Sequence, residues 1–191
     1  MQITTCDVKL TLTEPMLGTV PKDKEVYKSY IASKAATLEN GIEEVGTVEE
    51  IEAKGWTGFH RDEKGYFIYD YMIRGFLKEA GNTLKEAVKV KNLKSKIDRY
   101  VFIYPRRIFL AAETDGHLER PLRAMTMQGP RVTLARSDYV KEGTVIRFQV
   151  KLLENKEITM DLIKELLEYG QFQGLGQFRN GSYGRFVFEV A

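Results

Sequence analysis

The stretch Gly174-Leu175-Gly176-Gln177-Phe178-Arg179-Asn180-Gly181-Ser182-Tyr183-Gly184-Arg185 has a helical pattern before it and a short alternating strand, Arg185-Phe186-Val187-Phe188-Glu189-Val190, after it. Gly174, Gly176, Gly181 and Gly184 let the backbone take positive φ and come close to a partner with no Cβ in the way. Arg179 and Arg185 share the loop. Exposed amides beside guanidinium groups suit an anion, and a nucleic-acid backbone is the expected large one. The alternative is a glycine-rich turn joining a helix to an edge strand. Two phosphate-binding loops are set aside. A Walker loop needs Gly-Lys-Ser/Thr opening a helix, and the dinucleotide fingerprint needs a strand before its glycines and a helix after. Here the order is reversed.

Upstream of the loop, Thr159 caps a helix with Leu162, Ile163, Leu166 and Leu167 on one face. Before it, Glu142-Gly143 turns into the strand Thr144-Val145-Ile146-Arg147-Phe148-Gln149-Val150. Tyr100–Tyr104 and Ile108–Ala111 read as one further strand interrupted at Pro105. Asp70 is expected to cap a helix carrying Ile73, Phe76, Leu77, Ala80 and Leu84, with the basic stretch 85–99 as helix tail and loop. Residues 2–12 alternate as a half-buried strand that ends at Glu14-Pro15. Between them, 16–65 predicts a modest helix around Val26–Lys34, a short capped helix at 47–53 and a turn at Trp56-Thr57-Gly58-Phe59. The segment 112–142, with its loop at Asp115-Gly116-His117, is expected to be irregular and basic.

Without these two insertions, the order is strand, helix, strand, strand, helix, strand. That is the split βαβ, an α+β ferredoxin-like (RRM-like) arrangement: a four-stranded antiparallel sheet with two core helices on one face. Many functions use it, RNA recognition among them. The domain organisation expected is a single domain over 1–191 with insertions at about 16–65 and 112–142.

The 191 residues carry a net charge of +2, with 43% hydrophobic and 29% charged residues, as in an ordinary globular protein. No apolar run approaches the roughly 20 residues of a membrane helix, and the first residues lack a secretion signal. The single cysteine, Cys6, is placed in an alternating strand and fits a reducing cytoplasm. Charge is segregated: Lys85, Lys89, Lys91, Lys94, Lys96, Arg99, Arg106 and Arg107 form one basic run. Arg120, Arg123, Arg131, Arg136, Lys141 and Arg147 form another. Acids gather at 39–52. One basic face and one acidic lobe follow.

Three segments together resemble the RAMP superfamily of CRISPR-associated RNA-binding proteins. The loop from Gly174-Leu175-Gly176 to Tyr183-Gly184-Arg185 is similar to the family's C-terminal G-loop. Ile68-Tyr69-Asp70-Tyr71-Met72-Ile73-Arg74-Gly75-Phe76-Leu77-Lys78 is similar to its first core helix, and Glu142–Phe148 to its Gly-led third core strand. The nearest type is the backbone subunit, whose copies line up along guide RNA, with 16–65 and 112–142 as counterparts of its insertions. The resemblance implies guide-type single-stranded RNA and other subunits, or further copies of this chain, as partners. Processing nucleases of the family depend on a histidine, and this chain has His60 and His117 in predicted loops. Some backbone subunits cut target RNA with an aspartate after the first strand, a region where Asp23 lies.

No His/Cys cluster at zinc spacing, no calcium loop and no Gly-x-Ser-x-Gly or Cys/His nucleophile pattern is present, so neither metal nor cofactor is expected. Phe172, Phe178, Tyr183, Tyr100 and Tyr104 either stack on bases or belong to the core. The leading expectation is a non-catalytic RNA-binding component or mimic of a CRISPR effector complex. Its RNA contacts are expected from Arg74, Lys78, Lys89, Lys91, Lys94, Arg123, Arg131, Gly174, Gly176, Arg179, Gly181, Gly184 and Arg185. Arg74 and Lys78 stand one helical turn apart. Alanine at Gly176 or Gly181 is then expected to weaken RNA binding with little change in stability. Two alternatives stand beside it. One is a metal-independent endoribonuclease using His60 or His117. The other is a virus-encoded protein that binds or imitates effector subunits through the acidic lobe and the Trp56–Phe59 turn.

Overall fold

The computed structural model describes residues 3–23, 55–111, 113–126 and 129–191. Two compact units are built from interleaved pieces of chain: residues 1–17, 60–113 and 140–191 form one, and 18–59 with 114–139 the other. Strands are numbered β1 (Ile3–Leu12), β2 (Met16–Leu17), β3 (Val20–Pro21), β4 (Thr57–Gly58), β5 (His60–Asp62), β6 (Gly65–Tyr69), β7 (Val101–Tyr104), β8 (Arg107–Ala111), β9 (Gly116–Thr126), β10 (Gly129–Val140), β11 (Val145–Leu153) and β12 (Phe186–Val190). The helices are α1 (Asp70–Thr83), α2 (Lys85–Val88), α3 (Leu93–Tyr100) and α4 (Met160–Glu168).

The first unit holds the expected α+β ferredoxin-like core. Its sheet order is β12-β1-β11-β7, antiparallel throughout. The period of two sends Val8, Leu10 and Leu12 of β1 and Ile146, Phe148, Val150 and Leu152 of β11 to one buried face. There they meet Ile73, Phe76, Leu77 and Ala80 of α1 and Ile163, Leu166 and Leu167 of α4. Phe186 is fully buried in this layer, edge-to-face with Phe76 at 5.2 Å between centroids. A Cβ on Gly170 would run into the Phe186 ring, so the chain leaving α4 crosses directly over it.

Local details follow from capping and packing. Thr159 caps α4 as expected, its Oγ1 accepting from the Leu162 amide at 3.3 Å. Asp70 is not a cap; Tyr69 occupies that position without a side-chain bond, and Asp70 sits in the first turn against the helix dipole. The stretch 85–99 is more helical than expected, as α2 and α3, separated at Lys89 and Asn92, both in left-handed backbone. Gly81 lets α3 come close: a Cβ there would stand 3.0 Å from Leu93 and 3.1 Å from Ile97.

The expected single strand across Pro105 is two strands in two sheets, because β7 pairs with β11 whereas β8 pairs with β6 in the sheet β5-β6-β8. Within segment 112–142, expected to be irregular, β9 and β10 pair antiparallel from Gly116 with Tyr139 to Thr126 with Gly129, and no local pattern identifies these cross-strand partners. In the second unit β4 also pairs with β10 and β3 with β4, so Thr57–Gly58, at the centre of the expected Trp56–Phe59 turn, is strand. The carboxylate of buried Asp138 holds this unit together, accepting from Trp56 Nε1 at 2.9 Å and pairing with Lys22 at 2.9 Å. The helices expected near 26–34 and 47–53, and the acidic lobe, lie outside the described residues. Among the described residues no helix is long and apolar enough to cross a membrane.

Removing the Phe186 ring leaves a cavity between sheet and α1, so Phe186→Ala is expected to destabilise by about 3–5 kcal/mol. A urea midpoint unchanged from the parent protein would show that Phe186 does not carry the core.

Candidate nucleic-acid interface

After α4 and a 3-10 turn at Tyr169–Gln171, the glycine loop folds on itself. The Leu175 amide donates to the Gly184 carbonyl at 2.8 Å, and the Gly184 amide to the Pro15 carbonyl at 2.8 Å. The Gln177 amide reaches the Leu17 carbonyl at 3.2 Å, and Leu175 is buried beneath the crossing. Gly176 and Gly184 take φ of +84° and +72°. A Cβ on Gly184 would overlap the Leu175 carbonyl, and one on Gly176 the Leu17 carbonyl. Gly174 is pressed in the same way against the Gly184 backbone. These three glycines are therefore required by the chain's own packing. The expectation that alanine at Gly176 leaves stability almost unchanged is corrected by this geometry.

The amides of Leu175, Gln177, Gly181, Ser182 and Gly184 all donate within the chain. The side chains of the loop tip are its other polar and aromatic groups. Its tip, residues 178–183, projects Phe178, which is 43% exposed and takes φ of +55°. A bulky residue in left-handed backbone is unusual and costs on the order of 1–3 kcal/mol. The Phe178 ring lies 5.7 Å from that of Tyr183, and a Cβ on Gly181 would meet it.

Arg179 is anchored. Its guanidinium pairs with Glu79 of α1, and Gln173 Nε2 donates to the other oxygen of that carboxylate at 3.0 Å. The loop is thereby docked on the helix face that also carries Gly75, one turn before Glu79. Gly75 is exposed, and a Cβ there would meet nothing within 4 Å. A glycine in mid-helix costs about 0.5–1 kcal/mol relative to alanine. Nothing within the described protein requires it.

The remaining expected residues fall into separate places. Arg74 is half-buried and lines a groove of about 410 Å³ with Tyr71, Tyr104 and Arg106. Lys78, on the same face as expected, is paired with Asp98 of α3 at 2.6 Å. Lys89, Lys91 and Lys94 are exposed around a hollow of about 580 Å³ at the α2–α3 corner, shared with Lys85. Arg185 donates from Nε to the Phe172 carbonyl at 3.2 Å. Arg123 and Arg131 belong to the hairpin of the second unit, where Arg123 is opposite Val132 and Arg131 opposite Ala124. Glu79 and Gln173 had no signal in the sequence, because Arg179 meets its carboxylate partner across 100 positions.

Both histidines lie on strands rather than loops. His60, on β5, is packed against Phe67 at 5.5 Å and edge-on to Tyr69 at 4.7 Å. Burial lowers its proton affinity below the ordinary value. His117, on β9 in the second unit, is 5.5 Å from the Trp56 ring and 3.8 Å from Glu119. Trp56 also carries Lys22 over its ring at 4.2 Å, so this aromatic has internal contacts rather than forming a bare contact turn. Asp23 ends a described segment.

No protein-family model and no curated protein sequence matches this chain. Solved structures do. One is a chain of the cryo-EM structure of the type III-B Cmr-beta complex bound to cognate target RNA. It is 12% identical with a TM-score of 0.53, over 99% of this chain and 61% of that one. Another belongs to a type IV-B CRISPR complex, 12% identical with a TM-score of 0.47, over 98% and 90% of the two chains. The chain thus spans about three-fifths of the Cmr-beta chain it matches. At this identity the likeness is one of fold alone: a ferredoxin-like core shared with a chain of the Cmr-beta complex.

Two outcomes are expected. Gly184→Ala should destabilise by more than about 1 kcal/mol in denaturant titration, since it adds left-handed strain to a backbone overlap. An unshifted midpoint would remove the packing explanation. For His60, the folded-state pKa lies below 6.5, so the unfolded chain binds the proton more readily. Its contribution to stability is present above about pH 6.5 and is lost as pH falls through the lower folded value. An NMR titration placing His60 at or above 6.5, or a His60→Phe variant with an unaltered acid limb, would contradict this.

Proposed function

We propose that this chain is a non-catalytic RNA-binding protein of RAMP type, a guide-RNA-binding component or mimic of a CRISPR effector complex. The observation that carries the reading is the surface where the loop tip docks on α1. There Gly75 stands in open space between Arg74 and the Arg179–Glu79 pair. A helix glycine with no internal use fits a backbone that approaches closely from outside. Arg74 lies beside it on the helix, and the remaining donors of Arg179 can reach a phosphate while one holds Glu79. Phe178 at the tip offers a ring face to a base. The fold shared with a chain from an RNA-bound Cmr complex supports the same reading. On this view the glycines shape the loop and the side chains of its tip and of α1 bind.

The lysines around the α2–α3 corner extend the phosphate surface, and Arg123 and Arg131 of the second unit are proposed as RNA contacts of their own. Affinity is then largely electrostatic. The partners proposed are guide-type single-stranded RNA and further protein subunits or copies along it, in the cytoplasm. The expected single domain with insertions at 16–65 and 112–142 is retained as part of this proposal.

Labelled single-stranded RNA should bind, weaken with salt, and remain intact after long incubation in chelator. Arg74→Ala should lower the log–log salt slope by about 0.7–1. Gly75→Ala should raise the melting temperature yet weaken RNA binding, a combination a purely structural glycine does not produce. Gly75→Ala with unchanged affinity would dissociate α1 from RNA recognition.

A further inference from the structure

Among the described residues the four-stranded sheet carries its helices on one side, and the other side holds the cations Lys9, Arg147 and Lys151 beside the carboxylates Asp7 and Glu189. On that side β1 carries Lys9, β11 carries Arg147 and Lys151, and edge strand β7 carries Tyr104. The register makes them neighbours: Lys9 is opposite Arg147, Gln149 opposite Tyr104, and Lys151 opposite Phe102. Rows of side chains on one face of a sheet repeat at about 7 Å, close to the spacing between nucleotides in an extended single strand. A groove of about 630 Å³ runs across these residues.

Three details set this face apart from an ordinary solvated sheet. Tyr104 is 46% exposed, with the Lys151 ammonium 4.6 Å from its ring centroid. Arg147 is exposed and has no ion-pair partner among the described residues, whereas Lys9 is paired with Glu189 at 3.0 Å. Tyr104 also lines the separate groove that holds Arg74, Tyr71 and Arg106. It therefore stands where two grooves meet. An exposed ring with one cation against it, in a groove that also holds Arg74 and Arg106, suits a base and its neighbouring phosphates. The face mixes Thr5, Asp7, Thr11, Gln149 and its cations with the exposed apolar Ile3 and Val187, so a second copy of the chain is the alternative occupant that the test below separates from RNA.

We propose that this open face is a second single-stranded RNA subsite, resting on the RNA-binding reading above. One base stacks on the exposed face of Tyr104, and Arg147 and Lys151 take the phosphate on the sheet side. The strand then passes over β7 toward Arg106 and Arg74. Ferredoxin-like sheets that bind RNA use aromatic side chains on the face away from the helices in the same manner.

The test titrates labelled oligouridine against the full chain and folded Tyr104→Ala, Tyr104→Phe and Arg147→Gln variants. Tyr104→Ala should weaken binding roughly 5- to 100-fold, Tyr104→Phe should retain it, and Arg147→Gln should lower the salt slope by about 0.7. Photocrosslinking with 4-thiouridine should label the peptide containing Tyr104. Parent protein that binds RNA, with Tyr104→Ala binding equally well and no crosslink there, overturns the subsite and leaves the wider reading standing. Parent protein that binds no RNA overturns both. A dimer formed without RNA and lost in Tyr104→Ala assigns the face to a second copy of the chain and likewise overturns the subsite.

Discussion

A carbonyl stands where a side chain would have to be: the Leu175 oxygen fills the space a Cβ on Gly184 would need. That contact closes the loop after α4 into a knot of backbone hydrogen bonds with Leu175 buried inside. Through Pro15 and Leu17 the knot also ties the turn after β1 to the start of β12. β12 then pairs with β1, and Phe186 enters the core between sheet and helices. Without the glycines the loop cannot close, and the last strand loses the geometry that delivers it to the sheet edge.

The same closure determines what the loop presents. With the amides of Leu175, Gln177, Gly181, Ser182 and Gly184 donating internally, the loop projects a short tip with Phe178, Arg179 and Tyr183. Glu79 and Gln173 hold that tip on α1. An ion pair this exposed contributes little to stability, about 0–1 kcal/mol. Its consequence is positional: a guanidinium is held beside a bare stretch of helix at Gly75. The parts of the proposed interface are positioned by packing and by several contacts rather than by any single strong bond.

Much of the fold was legible locally. The order of elements followed from periodicity in β1, α1, β11, α4 and β12, because each buries one face and so alternates or repeats along the chain. The hairpin β9–β10 was not legible. Its basic, weakly alternating strands are specified by pairing with each other and with β4, and no local pattern carries that information. The split at Pro105 was missed for the same reason: β7 and β8 are both apolar alternating runs, and only their partners, β11 and β6, separate them.

For the candidate site, the sequence by itself determined the inventory: a glycine loop between helix and strand, Arg74 and Lys78 on one helical stripe, and the lysines of 85–94. Spacing along the chain is enough to establish these. Only the tertiary structure decided their use. It showed the glycines turned inward against Leu17 and Leu175, Arg179 and Lys78 already paired with acids, and Gly75 left open. It also put Tyr104 beside Lys151 on the face of the sheet away from α1 and α4. Such facts depend on which atoms meet across long stretches of chain, and close packing resolves that at a precision of tenths of an ångström that no residue pattern encodes.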